Sequence, residues 1–125
     1  MYLHSMSMIE QNIEQIHKLC EQYHVSQLSV FGSILTDQYN NESDIDLLVD
    51  FSNIDLKYFA DNYFALKRSL EKILRRDVDL LENKAISNPY LRESIDSSKR
   101  VLYESRDQNM ASRYSAIDKY KTGNS

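Results

Sequence analysis

Val30 to Phe51 read VFGSILTDQYNNESDIDLLVDF, a run holding one of the chain's two glycines and five of its nineteen acidic residues. Its last part, IDLLVDF (45–51), has the apolar and β-branched character of a buried strand, yet Asp44 directly precedes it and Asp46 lies within it. On a strand, residues two apart share a face, with Cα atoms roughly 6.5–7 Å apart. Asp44 and Asp46 are therefore expected to project side by side, while Ile45, Leu47 and Val49 turn into the core. Two carboxylates so placed repel one another unless a cation lies between them. Burying such charge unpaired is costly, so the segment needs either a structural reason or a ligand.

A second acidic run, DVDLLE from Asp77 to Glu82, repeats the arrangement. Asp77 and Asp79 fall on one face, and Val78 and Leu80 on the other. Were the two strands neighbours, three or four carboxylates would converge into an oxygen-rich site. Such a site suits Mg²⁺, a hard ion that takes a few carboxylates plus phosphate oxygens. Asp77 opens its strand and is expected to be solvated or to act only behind the ligands. Upstream, Gly32-Ser33 follows the short β-type run LSVF (28–31) and opens what reads as a short helix over 33–37. Glycine lets backbone approach a ligand closely, and N–H groups at a helix start attract phosphate. The serine hydroxyl adds a donor. A phosphate cradle beside a carboxylate–metal cluster describes phosphoryl or nucleotidyl transfer.

The rest of the chain frames this centre. With 125 residues, 42% hydrophobic and 27% charged, it reads as one globular domain with a single core. Ile9, Ile13, Ile16 and Cys20, flanked by Leu19 and Tyr23, predict a helix over 8–24. Phe59, Tyr63, Leu66, Leu70 and Ile73 predict another over 56–74, capped by Asp55. Asn88-Pro89 reads as a cap and first helical position for a helix ending near Ser97. RVLYE (100–104) follows as a last short strand. The order αβαβαβα(β) makes an α/β sandwich with few strands. Residues 1–104 form the expected domain. Residues 105–125 are a polar tail in which Met110, Tyr114 and Ile117 keep a weak helical spacing, a marginal or frayed helix.

Gly32-Ser33, ten residues, then Asp44-Ile45-Asp46 resembles the signature of minimal nucleotidyltransferases of the DNA polymerase beta superfamily. Phe31 supplies the hydrophobic residue before the Gly-Ser pair. Val78 to Glu82, VDLLE, resembles that family's third-carboxylate strand, and NPYLRESIDSSKRVLYE resembles the way such small domains end. The resemblance spans roughly residues 9 to 104 and implies a small polymerase-beta-like fold, a short mixed sheet with helices packed against it. By position it implies that Gly32 and Ser33 hold the triphosphate of ATP. Asp44 and Asp46 would bind two Mg²⁺ ions, and Asp79 would complete the site and serve as general base. Many small members are antitoxins paired with HEPN-domain ribonuclease toxins. The resemblance therefore implies AMP transfer from ATP to a tyrosine of such a toxin. The alternatives are an antitoxin that neutralises by occlusion without catalysis, and a transferase acting on a small molecule of the aminoglycoside type. Family members commonly carry arginine and glycine soon after the Gly-Ser pair, where this chain has Ile34-Leu35-Thr36-Asp37.

Other signals read more simply. A net charge of −4 gives no overall reason to bind nucleic acid. No apolar run approaches the ~20 residues that cross a bilayer, and the N-terminus lacks a signal-peptide pattern. Cys20 stands alone, so an intrachain disulfide is excluded and a cytoplasmic protein is expected. His17, Cys20 and His24 have a spacing that invites zinc, but Cys20 lies on the apolar stripe and a buried cysteine beside amphipathic histidines is expected. Residues 57–76 hold six bases and two acids, a solvated helix face with some members able to meet phosphate or an acidic partner. Of the nine tyrosines, most are expected in core or interface, with Tyr114 and Tyr120 the more exposed.

Overall fold

The computed structural model of the chain describes residues 2–36 and 43–105. Most of the YNNES loop, and the tail from residue 106 with Met110, Tyr114, Ile117 and Tyr120, lie outside the described residues.

The first predicted helix is in fact two, α1 (Tyr2–Gln11) and α2 (Ile13–Gln22). Asn12 separates them. Its side-chain amide donates to the Met8 carbonyl at 2.8 Å, and its own N–H reaches Ile9 O at 3.1 Å. Asparagine competes in this way with the helical ladder, and one such residue ends a run that apolar periodicity alone would continue. Ile9, Ile16 and Cys20 are buried as the stripe predicts, with Ile13 only half-buried. The chain then turns at His24 in the left-handed region (φ 64°) and enters β1 (Val25–Phe31), three residues earlier than LSVF suggests.

Next come a 3-10 turn (Gly32–Leu35), β2 (Ile45–Phe51) and α3 (Leu56–Leu74). They are followed by β3 (Val78–Glu82), a second 3-10 turn (Asn83–Ala85), α4 (Pro89–Ser98) and β4 (Arg100–Glu104). Both predicted caps form. Asp55 accepts from Lys57 N–H at 3.2 Å, and Asn88 Oδ1 accepts from Tyr90 and Leu91 N–H at 2.8 and 3.1 Å. These caps satisfy backbone donors that the first helical turn cannot.

The four strands form one mixed sheet in the order β3-β2-β1-β4, in which β2 and β3 run parallel and the other pairs antiparallel. One face carries the main core. Leu28, Val30, Ile45, Leu47, Val49, Val78 and Leu80 pack there against Ile9 and Ile16 of the first two helices and Leu66, Leu70 and Leu74 of α3. Each fully buried aliphatic side chain contributes about 1.5–3 kcal/mol. The opposite face carries a small cluster, Phe31, Leu48 and Ile95, through which α4 covers part of the sheet. Asn83 and Arg92 brace that cover. The Asn83 amide donates to Asp50 Oδ2 at 3.0 Å, while Arg92 donates to the Asn83 side chain and carbonyl, each at 2.7 Å.

The outer edge of β3 is closed by α3. Glu71 accepts from Val78 N–H at 3.0 Å, and the Tyr63 hydroxyl donates to the Leu80 carbonyl. Groups that would invite another strand are thus occupied. At the far edge, a His17 ring nitrogen lies 2.7 Å from the Leu102 carbonyl.

Candidate active site

The uncovered part of the second face is where the sequence-predicted residues lie. The register pairs Asp46 of β2 with Asp79 of β3, and Phe31 of β1 with Asp46 from the other side. Asp46 and Asp79 are thus neighbours across a parallel ladder, whose strands run roughly 5 Å apart. Asp44 departs from the expected placement. It lies just before β2 and is exposed, so it is not on the strand beside Asp46. Asp77 is also exposed, and its carbonyl accepts from Ile45 N–H at 3.0 Å, tying the starts of β2 and β3 together.

Gly32 ends β1 and begins the 3-10 turn with φ +83°, a conformation that L side chains rarely adopt. A Cβ placed there would lie 3.2 Å from Asp46 Cγ and 3.3 Å from its Cβ, with the carboxylate oxygen nearer still. Glycine at this position brings the turn directly onto the Asp46 carboxylate. Ser33 N–H donates to that carboxylate, so this amide is engaged by the protein rather than directed at a ligand. Phe31, which precedes the turn, gives it no side-chain cap, and Thr36 closes it by donating from its hydroxyl to Ser33 O at 2.8 Å. Ile34, which stands where the family commonly has a cation-bearing segment, is wholly buried in the main core. The turn is anchored by an apolar plug.

Electrostatics single out Asp46. Burial, then the charge of Asp79, then that of Asp44 push its carboxyl up from 3.8 to about 6, against the lowering effect of the Ser33 N–H. The three aspartates therefore share one field, although they come from three separate backbone positions. Among the described residues no three His, Cys, Asp or Glu side chains close into a ready-made metal cage. That arrangement fits Mg²⁺ nonetheless. The ion usually keeps several waters and binds through one or two carboxylates plus substrate phosphates, rather than a full protein cage.

The remaining titratable candidates are committed elsewhere. Cys20 is buried, and desolvation first and the Glu21 charge second push its thiol up to about 12. His17 bonds Leu102 and meets the Tyr103 ring edge-on at 5.4 Å. Among the α3 bases, Lys67 pairs with Glu71 at 3.3 Å and Lys57 lies over the Tyr58 ring at 5.2 Å. Arg76 donates to Ser43 O at 3.0 Å, next to Asp44. Sequence reading counted Arg76 as one base among six. Its position directly before the DVD run was the available signal.

A Gly turn set on the Asp46 carboxylate, with Asp79 across the β2–β3 ladder and Asp44 just before β2, is an arrangement that phosphoryl- or nucleotidyl-transfer chemistry can use. Residues 14–108 match the family described as "Polymerase beta, Nucleotidyltransferase", and the chain belongs to that family. It is a nucleotidyltransferase of the small type. Two candidate protein adenylyltransferases of Methanocaldococcus jannaschii are similar to it. One is 40% identical over 78 residues, covering 62% of this chain and 77% of the relative. The other is 37% identical over 81 residues, covering 62% and 76%. The fold is similar to a solved candidate minimal nucleotidyltransferase, with TM-score 0.64 and 26% identity over 75% of this chain and 92% of that one. It also resembles a chain of a toxin–antitoxin structure with AMP-PNP, at TM-score 0.59 and 22% identity, covering 86% and 96%. A tri-AMPylated Shewanella oneidensis HEPN toxin in complex with its MNT antitoxin gives TM-score 0.54 and 20% identity, covering 87% and 83%. These last two likenesses concern the fold.

Among the described residues, no helix is long and apolar enough to cross a membrane.

Proposed function

We propose that this chain is a Mg²⁺-dependent protein adenylyltransferase, moving AMP from ATP to a tyrosine hydroxyl of a HEPN-domain ribonuclease and so acting as its antitoxin in the cytoplasm. The observation that carries the proposal is the placement of Gly32 against Asp46, with Asp46 held in the field of Asp79 and Asp44. A carboxyl raised first by burial and then by two neighbouring carboxylates suits a bound cation. The names of the archaeal relatives support protein as the acceptor, and the toxin–antitoxin fold neighbours support a HEPN partner.

In this reading Asp44, Asp46 and Asp79 would hold the metal, two Mg²⁺ ions by the family resemblance. The bound metal supplies Lewis-acid stabilisation of the charge on the transferring phosphate. Gly32 and the Ser33 hydroxyl face the triphosphate of ATP. Asp79, exposed at the mouth of the site, accepts the proton of the acceptor hydroxyl. The acceptor oxygen then bonds to the α-phosphorus, the bond from that phosphorus to the bridging oxygen breaks, and pyrophosphate leaves. Asp79 ends protonated and returns its proton to water.

Intact-protein mass spectrometry tests this directly, using the chain, ATP, Mg²⁺ and a HEPN-domain ribonuclease encoded beside it. AMP-sized increments on the partner, absent with Asp44→Ala, are expected. A tightly bound partner that gains no mass, and is neutralised equally well by Asp44→Ala, would instead establish neutralisation by occlusion.

A further inference from the structure

Asp44 is the one site carboxylate outside a strand, so no ladder fixes it. Two bonds flank it instead. After it, Ile45 N–H donates to Asp77 O at 3.0 Å; before it, Arg76 Nη1 donates to Ser43 O at 3.0 Å. Both partners come from consecutive residues, Arg76 and Asp77. They follow Arg75, whose left-handed conformation (φ 58°) ends α3 and turns the chain into β3. The half-buried Arg76 side chain thereby reaches across 33 residues of sequence to the backbone beside Asp44.

We propose that Arg76 is a positioning residue, which with Asp77 O forms a two-point clamp setting where the Asp44 carboxylate stands relative to Asp46. The inference rests on the reading of Asp44 as part of the nucleotidyl-transfer site. A guanidinium bonded to a carbonyl makes a directional, charge-assisted hydrogen bond, stronger than one between neutral groups. Losing it removes the bond that ties the residue before Asp44 to the end of α3. Misplacing a reacting group by about 1 Å can cost 10²-fold in rate. The role therefore belongs to catalysis through Asp44, without any contact of Arg76 with substrate. Lysine keeps the charge and a donor but lacks the planar fork, so it restores the clamp in part.

The test compares wild type with Arg76→Met, Arg76→Lys and Asp44→Asn in two measurements. The first is hydrogen exchange of the Ile45 amide, with the Leu47 and Val49 amides of the same strand as internal controls. Arg76→Met is expected to speed Ile45 exchange about tenfold and leave Leu47 and Val49 unchanged, with Arg76→Lys between. The second is Mn²⁺ binding by electron paramagnetic resonance in the presence of a non-hydrolysable ATP analogue. Arg76→Met is expected to weaken it about tenfold, toward the level of Asp44→Asn. Unchanged Ile45 exchange overturns the proposal whatever the enzyme does. Faster exchange with wild-type Mn²⁺ affinity also overturns it, because Arg76 would then be structural alone. A wild type that binds Mn²⁺ no better than Asp44→Asn overturns the reading of the site, and the clamp's function with it. Should Arg76→Met fail to fold, Arg76→Lys and Arg76→Gln carry the same comparison.

Discussion

Asp46→Asn removes a charge that the fold keeps at its own expense. The Asp46 carboxyl is raised from 3.8 to about 6, by burial first and then by Asp79 and Asp44. A group whose folded-state pKa is raised binds its proton more tightly in the native state. Native stability therefore falls as pH climbs from the unfolded value, 3.8, through about 6, and stays lower above it. Each pH unit of displacement is worth about 1.36 kcal/mol, so the ceiling is about 3 kcal/mol. Asp46 is only half-buried, and solvent screening reduces this to about 1–2 kcal/mol. Asparagine has the same shape and can still accept the Ser33 N–H, so the substitution deletes charge and little else. Urea unfolding in EDTA from pH 4 to 8 is the assay. Wild type and variant are expected to match near pH 4 and to separate through pH 5–6. Above about pH 6.5 the variant is expected to be more stable by about 1–2 kcal/mol, a gain of several degrees in Tm for a domain of this size. Mg²⁺ is expected to narrow the gap by stabilising wild type alone. A variant less stable than wild type at pH 7, or a difference independent of pH, would refute the electrostatic reasoning. Transfer activity is expected to be lost in the same variant, which places the cost where function needs the charge.

Gly32→Ala is expected to destabilise by about 2 kcal/mol or more, since its Cβ meets the Asp46 carboxylate in a backbone region that costs L residues roughly 1–2 kcal/mol; denaturant melts check the loss, and a neutral result would deny the close approach. Ser29→Ala is expected to be neutral or stabilising by up to about 1 kcal/mol, because Ser29 Oγ is buried with no hydrogen-bond partner among the described residues. A clear loss of stability in the same melts would mean that the hydroxyl is satisfied after all. Cys20, whose thiol is pushed up to about 12 by burial, is expected to resist iodoacetamide at pH 8 until the protein unfolds. Alkylation of the native protein at the rate of free cysteine would contradict its burial.

The parts of the proposed site were legible as a pattern because they are local. A glycine-serine turn after a strand, acids at strand starts, and the caps Asp55 and Asn88 each depend on residues within a few positions. Near-neighbour hydrogen bonds and side-chain period are what a sequence encodes directly. The helix break at Asn12 was equally local but hidden, since an amide bonding back to Met8 leaves the apolar stripe looking continuous.

What only the tertiary structure decided is how those pieces meet. The order β3-β2-β1-β4 and the register that sets Asp46 beside Asp79 arise from contacts between distant segments, which no local pattern fixes. Asp44 was expected on the strand but stands just before it, because pairing begins at Ile45 with the bond to Asp77. The raised pKa of Asp46 needs burial and two charges from elsewhere, and the reach of Arg76 to Ser43 needs α3 and β2 already packed. Sequence thus determined the family pattern and which acidic and glycine residues are candidates for the site. Packing determined their distances and their charge, because both are properties of neighbours in space.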